Sequence, residues 1–185
     1  MLKKITVLFS LVFVAGAVMA EEKPGHFNLS LLPSIQTSSN PAVEGLDLGL
    51  LATSKSRVEG VQTGFVFANT RETSIGLQLA LVAKSEDFYG MKYGFVNIGR
   101  NFCGEASGFI NMLDDTDGLA SGFINSCGRV RGVMYGAVNV ADEVRGVQLG
   151  FVNYTKDMSG IQIGLVNIIS RSSLPVMVIV NGRFK

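Results

Sequence analysis

Gly146-Val-Gln-Leu-Gly-Phe-Val-Asn153 and Gly160-Ile-Gln-Ile-Gly-Leu-Val-Asn167 are two copies of one eight-residue phrase, set 14 residues apart. Stepping back from Gly146 by 14 each time reaches Gly132, Gly118, Gly104 and Gly90. A second glycine follows each of these by four residues, at Gly94, Gly108, Gly122, Gly136, Gly150 and Gly164. An asparagine follows by seven, at Asn97, Asn111, Asn125, Asn139, Asn153 and Asn167. The frame runs forward to Leu174, which lacks the glycines but keeps Asn181. It runs backward through Gly76, Gly60 and Gly45 at spacings of 14, 16 and 15, with Ala80 and Ala83 replacing a glycine and the asparagine. About ten such units account for 45–185.

Numbering the unit from its first glycine, positions two, four and six are mostly apolar (Val147, Leu149, Phe151). Position three is often polar, as in Gln62, Gln78, Lys92, Gln148 and Gln162. Alternation with a period of two is the signature of a β-strand. Two glycines per unit would each cost about 1 kcal/mol in a helix interior, which argues against helix. Position seven, almost always Val or Ile, breaks the alternation and marks a bend or a strand covered on both faces. Position thirteen returns to apolar in Phe88, Phe102, Val130, Val144 and Met158, one inward side chain between outward charges. On this reading the large apolar residues face a core, so Phe151→Asp should unravel the middle of the array. The position-three residues Gln62, Gln78, Lys92, Gln148 and Gln162 then form an outward strip flanked by glycines. That strip is either a consequence of close backbone packing at the glycines or a docking face for another sheet, a protein, a glycan or a lipid.

Two architectures fit an asymmetric unit repeated this regularly. In a 14-residue-repeat parallel β-solenoid each unit is one coil, like positions stack at about 4.8 Å, and Asn97, Asn111, Asn125, Asn139, Asn153, Asn167 and Asn181 form an amide ladder. In an antiparallel meander, or an outer-membrane β-barrel made from one, neighbouring strands run in opposite directions and equivalent residues are not adjacent. The internal regularity favours the all-β solenoid, because every copy then occupies the same environment. Position twelve agrees in part: Asp115, Arg129 and Glu143 alternate in sign, and Asp157 breaks the series. Cys103 and Cys127 pull the other way, since a bridge between them would cross almost two coils, about 8 Å.

The N-terminus reads as an address. Lys3 and Lys4 precede an apolar run from Ile5 to Val14, followed by small residues that end at Val18-Met19-Ala20 before Glu21 and Glu22. This is the pattern of a secretory signal peptide over 1–20, cleaved after Ala20. Residues 21–44 then form a lead-in and cap, and 45–185 the array. Removing Lys3 and Lys4 leaves 14 basic residues against 15 acidic, so the exported chain is close to neutral and a nucleic-acid partner is not expected. No later segment has the roughly 18–20 unbroken apolar residues of a membrane helix. Export also permits a disulfide between Cys103 and Cys127, in a loop whose closure is worth about 3 kcal/mol in the chain-entropy model.

With the units aligned, the chain resembles the bacterial secreted surface-repeat proteins built from G-V-Q-x-G-h-V-N units, a family first noticed in spirochaetes and present in other Gram-negative bacteria. The units from Gly60 to Asn167 carry the resemblance, with Phe27-Asn-Leu-Ser-Leu-Leu-Pro33 similar to the lead-in of such arrays. The resemblance implies export to the periplasm, outer membrane or cell surface of a Gram-negative bacterium, with possible outer-membrane association and no assigned activity.

Chemistry is sparse. His26 is the only histidine, in a lead-in expected to be mobile, so imidazole-based catalysis and zinc binding are poorly served and neither cofactor nor metal is expected. Asp114, Asp115 and Asp117 resemble part of a calcium loop, but Ile124 stands where the closing glutamate belongs. They read instead as a solvated corner balanced by Arg129 and Arg131. The expected product is an exported, non-enzymatic cell-envelope repeat protein with a structural or binding role and an unidentified partner. An integral outer-membrane β-barrel is the alternative.

Overall fold

The computed structural model describes residues 24–184; the expected signal peptide and Lys185 lie outside the described residues. The described residues are all-β, in the order β1 (Gly25–Leu32), β2 (Ile35–Gln36), β3 (Ala42–Gly49), β4 (Ala52–Lys55), β5 (Arg57–Tyr135), β6 (Val138–Leu149), β7 (Val152–Ile169) and β8 (Val176–Arg183). They wind into a β-solenoid of about ten turns and not a barrel. The long β5 is extended chain that turns through several coils without a break.

Successive units stack parallel and in register. Asn125 pairs with Asn139 and Gly132 with Gly146, then Asn139 with Asn153 and Gln148 with Gln162. The longer early units keep register as well, Gly45 opposite Gly60 and Asp47 opposite Gln62. The lead-in is itself a coil: β1 runs parallel to β3, with Asn28 beside Asp47. His26 lies in this strand, its Nδ1 3.1 Å from the Glu44 carbonyl, and is not part of a loose tail.

Glycine fixes both the corner and the parity of each coil. Every position-one glycine from Gly45 to Gly160 has φ between +125° and +148°, a conformation that L side chains rarely adopt. A Cβ on Gly146 would overlap the Gly132 carbonyl oxygen, and one on Gly150 would overlap the Gly136 carbonyl and crowd the Asn139 amide. At positions one and five the preceding coil therefore leaves no room for a side chain. Position three, between them, points inward.

That parity corrects the sequence reading. Gln62, Gln78, Lys92, Gln148 and Gln162 are fully buried and form no outward strip, whereas Phe65, Phe95, Phe123 and Phe151 at position six are exposed. Polar residues are stable inside because stacking supplies their partners. Gln78 Nε2 donates to Gln62 Oε1 at 2.7 Å and Gln162 Nε2 to Gln148 Oε1 at 2.7 Å. At the N-terminal end Gln62 Nε2 donates to Asp47 Oδ2 at 2.9 Å.

Each coil points four positions inward: three, eight, ten and thirteen, as in Gln148, Asn153, Thr155 and Met158. Position thirteen supplies the apolar row, with Phe88 and Phe102 stacked at 5.6 Å. Leu113, Cys127, Ala141 and Ile169 add to it from position ten.

The array ends where glycine runs out. Leu174 occupies position one and Pro175 follows, and the chain reverses: β8 runs antiparallel to β7, with Asn181 opposite Gln162. Asn181 is thus not a seventh parallel rung, and its side-chain amide donates to the Asn167 backbone carbonyl at 3.3 Å. At the other end the short β2 folds back antiparallel on β1, so both ends carry reversed strands.

Candidate functional site

Three ladders define the molecule. Inside, the asparagine amides bond rung to rung: Asn97 to Asn111 at 2.8 Å, Asn111 to Asn125 at 2.7 Å, Asn125 to Asn139 at 2.8 Å, Asn139 to Asn153 at 2.8 Å and Asn153 to Asn167 at 2.8 Å. The second amide hydrogen of most rungs goes to a backbone carbonyl on the next coil, as from Asn125 to Tyr135 at 2.9 Å. Asn97 begins the ladder because Ala83 precedes it, and its Oδ1 has no donor. The position-three row holds one cation: Lys92 Nζ donates to Ser85 Oγ at 2.6 Å and to the Ile98 carbonyl at 2.9 Å. It also lies 4.8 Å from the Phe88 ring centroid and 5.8 Å from that of Phe102. Burial among these groups lowers its pKa from 10.5 to about 7.

Outside, positions eleven, twelve and fourteen carry charges paired across one coil. Arg129 pairs with Asp115 and Arg131 with Asp117, Arg100 lies 3.2 Å from Glu86, and Lys156 lies 2.7 Å from Asp142. Hydrogen bonds from Arg129 and Arg131 hold the Asp115 and Asp117 carboxyls below their ordinary pKa. The acidic cluster is thus matched by arginines on the next coil. Asp157, which breaks the sign alternation, pairs with Arg183 of the reversed terminal strand at 3.2 Å. These exposed pairs add little stability individually.

The third ladder is apolar and exposed. Positions two, four and six share one outward face, and from Leu46 to Leu165 its only carboxylate is Glu105; desolvation and the charge of Glu105 raise the pKa of the Tyr93 hydroxyl. Phe95, Phe109 and Phe123 stack at 4.9 and 5.0 Å with planes within 5°. Phe65, Phe95, Phe109, Phe123 and Phe151 are 71, 55, 42, 52 and 64% exposed. At about 200 Å² per phenylalanine these five alone present roughly 570 Å². The largest patch on an ordinary monomer is about 300–600 Å², and Leu50, Leu81, Tyr135, Ile163 and Leu165 extend this one. At Ala137 the large residues of position six lapse, opening an apolar groove of about 710 Å³ between Phe123, Tyr135 and Phe151 over Gly136 and Gly150.

The two cysteines do not meet. Cys103 is exposed at position fourteen, Cys127 is buried at position ten, and both are free thiols. The expected disulfide fails because Cys103 faces outside the coil wall and Cys127 inside it. Burial pushes the Cys127 thiol up to about 11. Among the described residues no group of His, Cys, Asp and Glu could hold a metal ion, and no helix is long and apolar enough to cross a membrane. The exposed face was missed because polar residues were expected outside; the glycines flanking position three were the signal that could have revealed it. No family model, curated protein or solved structure matches the chain.

Proposed function

We propose that this chain is an exported, non-enzymatic repeat protein of the cell envelope, acting as a structural scaffold through its apolar face. The observation that carries this reading is the face itself: an apolar surface larger than a monomer ordinarily leaves in water, backed by a polar interior bonded into ladders. Many of the side chains that could do chemistry are committed elsewhere, with the amides in the core and Glu86, Asp115, Asp117 and Asp142 of the outer strip paired with arginine or lysine. The N-terminal address supports export.

The test is fractionation of cells expressing the chain with residues 1–20 in place. Processing after Ala20 and recovery in the envelope fraction is the expected result. An unprocessed chain in the cytosol contradicts the proposal.

A further inference from the structure

We propose that the apolar face is an interface between two copies of this chain, packed face to face about a two-fold axis. This deepens the scaffold reading and rests on it for the premise that the face is covered.

Area favours a second copy. Nine coils from Gly45 to Gly160, stacked at about 4.8 Å and each spanning six residues at about 3.3 Å with three side chains outward, make a face of roughly 850 Å². A stable interface of standard size takes about 800 Å² from each partner. Charge points the same way. The face carries no basic residue and one carboxylate, Glu105, whose two copies lie on opposite sides of the axis about 13 Å apart, whereas an anionic membrane would require the basic residues that are paired with acids on another side of the coil.

Shape is self-complementary. Full overlap places the two-fold on the central coil at position four, where Ser107 is small. Position six of one copy then faces position two of the other, so the phenylalanine row meets a row of Leu, Val, Met and Ile broken only at the central coil, where Phe109 covers Glu105. Phe123 comes opposite Met91, Phe151 opposite Val61, and the gap at Ala137 receives Leu77.

The experiment is sedimentation of the full exported chain at micromolar concentration, with a Phe123→Glu, Phe151→Glu variant beside it. The parent is expected to be a dimer, and the variant to keep its β-sheet circular dichroism while its dissociation constant rises at least about a hundredfold. Should that variant fail to fold, Tyr135→Glu, at another exposed site on the face, carries the same test. In a Cys103→Ser background, Ser107→Cys should be joined to its copy by a thiol crosslinker spanning about 10 Å, the separation of packed sheets. A monomeric parent, a dimer indifferent to these substitutions, or a Ser107→Cys protein that is not crosslinked overturns the proposal. A monomer that floats with phosphatidylcholine vesicles also overturns it, while leaving the envelope reading intact.

Discussion

Lys92 is the one fully buried cation in a row that runs from Asp47 through amides, alanine and methionine, and replacing it by methionine should stabilise the protein and flatten its pH dependence. Its Nζ has a hydroxyl, a carbonyl and two ring faces for company, none of which carries a full negative charge. Burial lowers its pKa to about 7, against 10.5 when exposed. Between those values the unfolded chain holds a proton that the folded chain has released, so stability rises with pH across this window. Below about pH 7 the burial penalty is present in full. At 1.36 kcal/mol per pKa unit the total is about 5 kcal/mol, an upper figure.

Methionine is already accommodated at this position in Met134, which is fully buried. Lys92→Met leaves Ser85 Oγ and the Ile98 carbonyl without the amine, a cost of about 1–3 kcal/mol. The net gain near pH 6.5 is therefore about 2–4 kcal/mol, shrinking to nothing or reversing near pH 10. Denaturant titrations followed by circular dichroism from pH 6 to 10 would measure both curves. Parallel curves for parent and variant would refute the reasoning, because the Lys92 proton would then not be coupled to folding.

Other outcomes follow from the same geometry. Asn125→Ala removes the donor to Asn139 and the acceptor for Asn111, and should cost about 2–4 kcal/mol by denaturant titration. Ala83→Asn should extend the ladder by one rung, satisfy Asn97 Oδ1 and gain about 1 kcal/mol; a loss of stability would show that the position lacks room for the amide. Gly146→Ala, forced into positive φ against the Gly132 carbonyl, should cost about 3 kcal/mol or more, while the exposed Phe151→Asp stays within about 1 kcal/mol in the monomer. Thiol labelling at pH 8 should modify Cys103 within minutes and spare Cys127 until the chain is unfolded, and reductant should leave the melting temperature unchanged.

The period, the strands, the parallel stacking and the asparagine ladder could all be read from spacing, because a stacked repeat places each residue type in one recurring environment. Parity could not be read by the rule that polar residues face water. A glutamine at position three is stable indoors only because another glutamine lies one coil away, a fact of stacking and not of the residue. The same inversion hid the apolar face, whereas the expected bridge between Cys103 and Cys127 rested on the oxidising compartment alone and not on where the two side chains point. The missing glycine at Leu174 was visible, but the reversal that follows it, and with it the loss of Asn181 as a parallel rung, was not, because it depends on the positive φ that position one requires.

Equivalent positions climb one axis by a constant step. Spin labels on native Cys103 and on a second cysteine at Arg131, Arg145 or Ser159, all position fourteen, test it directly. Separations should grow linearly, at about 10, 14 and 19 Å for two, three and four coils. Distances that alternate between long and short, or that pass through a maximum as around a closed cylinder, would contradict the solenoid.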